Sequence, residues 1–190
     1  LKTDFFRKNK MFYIEKKNIK KITNYTDDFK SKYFDNDMHV EGYFESEKYF
    51  LNYKSSILKE FKFKDPDTYQ NNFYFDDISK CNSVALCIRQ NRFIEGINKN
   101  NEINRKRSWN FTLEQIEYIN KSVQIIKSKI NNAKFFLWSN DFQNLESNLF
   151  NFDYQNVNLN NVNDGIDKRI LGLYLLTNCK HYIVTGSSFN

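Results

Sequence analysis

The residue best suited to bind a phosphate ends a predicted strand. Residues 83–89 (SVALCIR) form a short, almost continuously apolar run that finishes with Arg89, which predicts a buried strand of a parallel sheet. Such sheets bind ligands at the carboxyl ends of their strands, and a guanidinium can bind a phosphate through two hydrogen bonds. Arg89 is therefore a candidate phosphate ligand. The alternative is a salt bridge that only closes the strand.

A second polar group follows the next apolar run. Ser139-Asn140-Asp141 stands at the end of residues 134–139 (KFFLWS), a second predicted strand. An acidic residue at this place can accept hydrogen bonds from the hydroxyls of a ribose, so Asp141 is a candidate nucleotide ligand. Ser, Asn and Asp are also good helix caps, and capping of a following helix is the alternative.

A third polar group follows the last apolar run of the sequence. Gly186-Ser187-Ser188-Phe189 comes directly after residues 182–185. The main-chain N–H groups and hydroxyls of such a turn can bind a phosphate, and the phenylalanine ring offers a face to a base. Ser187, Ser188 and Phe189 are therefore candidates, and an ordinary serine turn after a strand is the alternative.

The cysteines and histidines do not form a metal-binding pattern. Cys81, Cys87 and Cys179 lack CxxC spacing, and neither His39 nor His181 has a partner at i+3 or i+4. We therefore expect reduced thiols and no metal site.

The charge pattern does not indicate a nucleic-acid partner. The formal net charge is +6, but the Lys and Arg residues are scattered among acidic residues, as is typical of solvated surfaces. The sequence also contains no apolar stretch near the roughly 20 residues that a membrane-spanning helix needs.

The three polar groups need a sheet that brings the strand ends together. From residue 83 onward, short apolar runs alternate with amphipathic segments, which predicts an α/β fold with a Rossmann-like, doubly wound parallel sheet. The predicted strands are residues 83–89, 134–139, 156–159 and 182–185, and the predicted helices are 113–130 with Thr112 as N-cap, 141–150 and 166–178.

The first 80 residues are less regular. A helix is predicted over residues 46–61, where aromatic and aliphatic residues recur every four positions. Asp65-Pro66-Asp67 should end this helix, because the residue before a proline is forced out of the helical region. We place a subdomain boundary at this proline, and we assign residues 81–190 to a ligand-binding domain and residues 1–80 to part of another domain with its linking helix.

Four segments of the chain resemble the bacterial α-1,2-fucosyltransferase family. They are GYFESEKYF at residues 42–50, CIRQNRF at 87–93, WSND at 138–141 and LYLLTNCKHYIVTGSSF at 173–189. The resemblance implies a GT-B fold, of which residues 81–190 would be the donor-binding domain and residues 1–80 part of the acceptor-binding domain.

The resemblance also implies a reaction. It is inverting transfer of L-fucose from GDP-L-fucose to a galactoside or related sugar hydroxyl of a surface glycan precursor, with no cofactor and no obligatory metal. Arg89 would neutralise the departing β-phosphate, Asp141 would bind the ribose, Ser188 a phosphate and Phe189 the guanine. Ser187 stays a candidate phosphate ligand from the turn alone. The enzyme would be cytoplasmic, and a lipid-linked glycan acceptor would bring it to the periphery of the inner face of the cell membrane.

The sequence departs from the family pattern in its motifs. Cys87 stands where the family has His, Asn91-Arg92 where it has Gly-Asp, and Gly172 where it has an acidic residue. The family's GGLGNQ loop and its paired tryptophans are missing, so we expect a piece of a longer protein. Two alternatives stay open: the same fold acting on another nucleotide sugar, and a nucleotide-sugar binding module without activity.

Overall fold

The computed structural model describes residues 11–14, 38–41, 47–95, 99–162 and 165–185. The chain divides into two compact units, Leu1–Lys62 and Phe63–Asn190. Among the described residues of the first unit, β1 (Met11–Ile14) pairs in parallel with β2 (Met38–Glu41).

The helix predicted over residues 46–61 is only partly helical. Two 3-10 turns, Glu47–Tyr49 and Leu51–Tyr53, precede α1 (Lys54–Glu60). Tyr49 is buried, but Tyr53 and Phe61 are exposed, so the stripe of rings does not form one buried helix face. Aromatic residues are weak helix formers, and a stripe this narrow gains too little burial to favour a continuous α-helix.

The second unit contains a four-stranded sheet and most of the helices. Its strands are β3 (Asn82–Ile88), β4 (Ala133–Ser139), β5 (Gln155–Asn156) and β6 (His181–Ile183). Its helices are α2 (Pro66–Gln70), α3 (Phe73–Ser79), α4 (Glu102–Lys129) and α5 (Lys168–Thr177). Within the described residues, no helix has the length and apolar character needed to cross a membrane.

The strand order makes this sheet doubly wound. The strands lie in the order β5-β4-β3-β6, and all three pairs are parallel. The chain moves outward from β3 to β5 and then returns to place β6 on the other side of β3, so the winding direction reverses between β3 and β6. This confirms the α/β fold with a parallel sheet and helices, and the arrangement is compatible with a Rossmann-like fold.

Alternate residues of β3 supply two separate apolar cores. Val84, Leu86 and Ile88 pack on one face with the buried row of α4, which includes Ile119. Ala85 packs on the opposite face with a cluster from β4, α3 and α5. Burial on both faces explains the continuous apolar run that predicted this strand.

Helix α4 begins earlier than the sequence pattern predicted. Its N-cap is Asn101, whose side chain accepts a hydrogen bond from the Asn104 N–H at 2.9 Å. Thr112, the predicted N-cap, lies inside the helix and donates to the carbonyl of Ser108 at 3.0 Å. The cap prediction was wrong because a threonine hydroxyl can also bond to the carbonyl four residues back within a helix.

The helix predicted over residues 141–150 is also wrong. Within this segment the structure has only a 3-10 turn, Ser147–Leu149. Phe142, Leu145 and Leu149 pack individually against the apolar cluster under α4, so this loop buries its apolar side chains without a regular helix.

Helices α2 and α3 belong to the unit that contains the sheet. The hydroxyl of Tyr74 donates to the carbonyl of Asn158 at 3.1 Å and accepts from the Asn158 N–H at 3.2 Å. Ile78 is fully buried in the cluster with Phe136 and Leu171. The unit therefore begins at Phe63, before residue 81, where we placed the start of the donor-binding domain. The assignment of the two parts to donor and acceptor stays a prediction.

Candidate functional site

Arg89 lies at the point where the winding of the sheet reverses. It follows the last residue of β3, which is flanked by β4 on one side and β6 on the other. Beyond β6, the hydroxyl of Thr185 donates to the carbonyl of Cys87 at 2.9 Å, which ties the segment after β6 to the end of β3. Doubly wound sheets bind their ligands in the crevice at such a reversal.

Two amide side chains hold the main chain where β3 ends. Gln115 of α4 accepts from the Arg89 N–H at 3.1 Å and donates to the Arg89 carbonyl at 3.0 Å. Asn140 does the same for the next residue, since it accepts from the Gln90 N–H at 2.8 Å and donates to the Gln90 carbonyl at 3.2 Å. The peptide groups of two consecutive residues are therefore fixed by side chains from elsewhere in the fold.

The Arg89 guanidinium pairs with Glu95 in the turn that follows β3, residues 89–95, which we name the β3 turn. The two side chains are 37% and 46% exposed. The salt bridge offered as the alternative role of Arg89 is therefore present. A pair this exposed stabilises a fold weakly, by less than about 1 kcal/mol, so a bound phosphate can compete with Glu95 for the guanidinium.

The backbone of the β3 turn explains one departure from the family motif. Asn91, which stands at the motif glycine, has φ of 59°. Glycine adopts this left-handed conformation without cost, and asparagine tolerates it better than most other residues. Asparagine is therefore compatible with the backbone of this turn.

Asp141 lies at the same edge of the sheet, in the turn after β4, residues 139–143, which we name the β4 turn. One carboxylate oxygen accepts from the Gln143 N–H at 2.9 Å, and the other accepts from the side-chain amide of Asn91 at 3.3 Å. Since the structure has no α-helix directly after β4, Asp141 is not a helix cap. The fold thus brings Arg89 and Asp141 to neighbouring turns, as the strand positions predicted.

A cavity of about 640 Å³ opens beside the β4 turn. Its wall includes Trp138 and Asp141 from the β4 side and Arg169, Gly172 and Leu173 from α5. A Cβ added at Gly172 would lie 3.2 Å from Leu159 Cδ1, so a larger side chain there needs Leu159 to move. The cavity therefore combines one carboxylate, the two cations Lys168 and Arg169, and apolar surface, a mixture suited to a polar organic ligand.

The two cations at this cavity have hydrogen-bond partners, and its thiol is neutral. Lys168 donates to the Asn160 carbonyl at 2.9 Å. Arg169 donates to both carboxylate oxygens of Asp167, at 3.2 and 2.9 Å, and these hydrogen bonds lower the pKa of Asp167 to about 2. Burial raises the pKa of the Cys87 thiol to about 11. Cys87, at the family's histidine position, is therefore neutral near pH 7 and cannot take over the proton chemistry of an imidazole.

Sequence reasoning missed three features of this site: Gln115, Glu95, and a cluster in which the Arg107 guanidinium lies 3.9 Å from the Phe93 ring centre. One of them, Gln115, could have been found from the sequence. Ser108, Thr112 and Gln115 are buried polar residues that continue the apolar row of α4. A polar side chain on a buried helix row needs a partner, so this row could have identified Gln115.

The third predicted group is outside the described residues. Ser187, Ser188 and Phe189 follow Thr185, the last residue that the structure describes, so their roles as phosphate and guanine ligands remain predictions. Of the segment GYFESEKYF, residues 42–46 are also outside. Among the described residues, no group of three or more His, Cys, Asp or Glu side chains is placed to hold a metal ion.

The fold and this edge define an α/β protein with a doubly wound parallel sheet, in which Arg89 and Asp141 follow neighbouring strands at one edge. A family model described as glycosyl transferase family 11 matches residues 2–190. The chain belongs to this family, which makes it a glycosyltransferase of the fucosyltransferase group and confirms the resemblance found in the motifs. No curated protein and no solved structure matches the chain.

Proposed function

We propose that this chain takes part in inverting transfer of L-fucose from GDP-L-fucose to a galactoside or related sugar hydroxyl, within a GT-B enzyme. The observation that carries the proposal is Arg89, a partly exposed guanidinium with a fixed main chain at the reversal of the sheet. Family membership supports the reaction class and implies a nucleotide-sugar donor and a glycan acceptor.

The chemistry needs a group that stabilises the departing nucleotide. The bond between fucose C1 and the β-phosphate oxygen breaks, the acceptor oxygen bonds to C1 from the opposite face, and the hydroxyl proton leaves to a base. Negative charge grows on the diphosphate as the bond breaks. Arg89 would neutralise that charge, as a fixed donor aimed at developing charge can.

The remaining contacts follow the order of the strands. Asp141 would accept hydrogen bonds from the ribose hydroxyls, and its place beside the cavity supports this role. Ser188 would bind a phosphate and Phe189 the guanine, as the family motif implies, and the hydroxyl of Ser187 in the same turn would bind a phosphate as well. These groups would lie around the crevice between the ends of β3, β4 and β6.

The proposal is tested by donor assays on the complete protein. Purified enzyme would be incubated with a galactoside and GDP-L-fucose, GDP-mannose or UDP-galactose in parallel, and product formation and anomeric configuration followed by NMR. We expect transfer from GDP-L-fucose with an α-fucosyl product. Transfer from another donor alone would replace the donor assignment, and retention of configuration would overturn the inverting mechanism.

A second candidate is binding without transfer, and the β3 turn is the observation that favours it. Arg92, at the motif aspartate, has its guanidinium 4.9 Å from the Phe111 ring centre. A cation thus replaces the motif's carboxylate. Calorimetry with GDP-L-fucose and a GDP-release assay on the complete protein would together separate the two candidates. Binding without transfer requires measurable binding of the donor and no release of GDP.

We also propose that the reaction needs no metal and no cofactor, because a guanidinium, hydroxyls and main-chain N–H groups would offset the charge of the leaving group. Activity of the complete protein should therefore survive EDTA. Abolition by EDTA and rescue by Mg²⁺ or Mn²⁺ would contradict this. The proposed setting is the cytoplasm, at the periphery of the inner membrane face, with a lipid-linked glycan precursor as acceptor.

A further inference from the structure

The pairing of β3 with β4 ends just before Arg89, the candidate phosphate ligand. The last β3–β4 pair joins Ile88 to Ser139. Beyond it, the peptide groups of Arg89 and Gln90 have lost their strand partners, and buried peptide groups need replacements. Gln115 and Asn140 supply these replacements, each through one accepted and one donated hydrogen bond.

The two amides come from separate elements and approach different residues. Gln115 projects from α4 and is only 4% exposed, whereas Asn140 is an exposed residue of the β4 turn. Gln90 is itself 3% exposed, and its side-chain amide donates to the Asp141 carbonyl. Arg89 is therefore held by α4, and Gln90, the next residue, is held by the β4 turn.

We propose that Gln115 and Asn140 are positioning residues that aim the Arg89 guanidinium at the ligand. Gln115 makes hydrogen bonds to both the N–H and the carbonyl of Arg89. The main chain of Arg89 is therefore held in place, and this fixes the direction in which its Cα–Cβ bond points. Misplacing a catalytic group by about 1 Å can cost on the order of 100-fold in rate. The kinetic part of this inference rests on the proposed function, but the positioning itself does not.

The structure also provides a matched control on the same helix. Asn120 of α4 donates to the Leu149 carbonyl at 2.9 Å and accepts from the Asn151 N–H at 3.2 Å. Like Gln115, it accepts from one main-chain N–H and donates to one main-chain carbonyl of another segment, although these belong to two residues and Gln115 also donates to the Phe111 carbonyl at 3.2 Å. Asn120 lies about 7.5 Å further along the helix axis at 1.5 Å per residue. Its partners lie in the loop before β5, away from the β3 turn.

The test compares Gln115→Glu, Asn140→Asp and Asn120→Asp in the complete protein. Each change replaces an amide N–H₂ by an oxygen, so the donated bond is lost. The new carboxylate oxygen then faces the carbonyl oxygen of its former partner, and the repulsion between the two weakens the accepted bond as well, which opens the main-chain N–H to exchange. Hydrogen exchange of the Arg89 and Gln90 amides, kcat, KM for GDP-L-fucose and thermal stability would be measured for all three. We expect faster exchange at Arg89 or Gln90 and a 10- to 100-fold fall in kcat in the first two variants only.

The outcomes separate positioning from general destabilisation. If the two site variants lose no more kcat than Asn120→Asp at an equal loss of thermal stability, the positioning role is overturned. Unchanged exchange at Arg89 and Gln90 would overturn it as well, even in a protein that transfers no fucose. Should Gln115→Glu fail to fold, the exposed residue Asn140 still decides the question.

The pH profile gives a further readout. A protonated carboxyl can donate a hydrogen bond again. The loss of kcat in Gln115→Glu relative to the unsubstituted protein should therefore shrink as the pH falls through the pKa of the new carboxyl. A deficit that stays constant with pH would contradict a role for the donated bond.

Discussion

The β3 turn and the β4 turn follow neighbouring strands at the same edge of the sheet, but they are held in different ways. The β3 turn depends on Gln115 and Asn140, which are distant in sequence. The β4 turn is also held from within, since the Ser139 hydroxyl donates to the Asp141 carbonyl at 2.7 Å and Asp141 accepts from the Gln143 N–H, besides the bonds that it accepts from Gln90 and Asn91. Substitutions in the β3 turn should therefore have the larger and less local effects.

The largest expected effect is that of Arg89→Lys. Lysine keeps the charge but loses the planar fork that binds a phosphate through two hydrogen bonds. We expect kcat to fall by about 10² to 10³, which is roughly 2.7 to 4 kcal/mol of lost transition-state stabilisation. The measurement is kcat and KM for GDP-L-fucose in the complete protein, with thermal stability recorded alongside.

Arg92→Lys is the matched control for this prediction. Its guanidinium lies over the Phe111 ring, and a lysine cation can keep part of that contact. We expect less than a tenfold change in kcat. If Arg92→Lys is severely impaired and Arg89→Lys is not, the motif register is wrong and Arg92 is the phosphate ligand.

A smaller effect is expected from Asp141→Asn in the β4 turn. The amide keeps an oxygen for the Gln143 N–H but removes the negative charge that would bind the ribose. We expect KM for GDP-L-fucose to rise by about tenfold, or 1.4 kcal/mol, with kcat nearly unchanged. Asp153→Asn, at an exposed position in the loop before β5, should leave KM unaltered. An equal KM effect in both variants would argue against the ribose role.

The smallest expected effect is on stability, at Asn91 in the β3 turn. Asn91→Ala places a Cβ-bearing residue without local hydrogen bonding at φ of 59°, and we expect it to cost about 1 kcal/mol. Asn91→Gly removes the same amide but tolerates the conformation. Urea unfolding of both variants isolates the backbone contribution, and equal stabilities would show that this turn carries no conformational strain.

Much of the fold could be predicted from the sequence because its signals are local. Strands β3 and β4 are continuous apolar runs buried on both faces, and α5 and β6 lie close to their predicted positions. Elements without such periodicity were predicted poorly. The segment after β4 and the segment before α1 bury isolated aromatic side chains, and a pattern of isolated residues does not specify a helix.

The sequence by itself determined that Arg89 and Asp141 end two strands, because strand ends are set by local changes in hydropathy. It also determined the family, through motif segments that are recognisable in the chain despite their departures at Cys87, Asn91, Arg92 and Gly172. Only the tertiary structure decided which side chains surround these residues. Gln115 is 26 residues from Arg89, and Asn140 is 50 residues from Gln90. Their hydrogen bonds depend on the register that sets Ile88 opposite Ser139, and that register exists only once α4 has packed on the sheet and carried the chain back to β4.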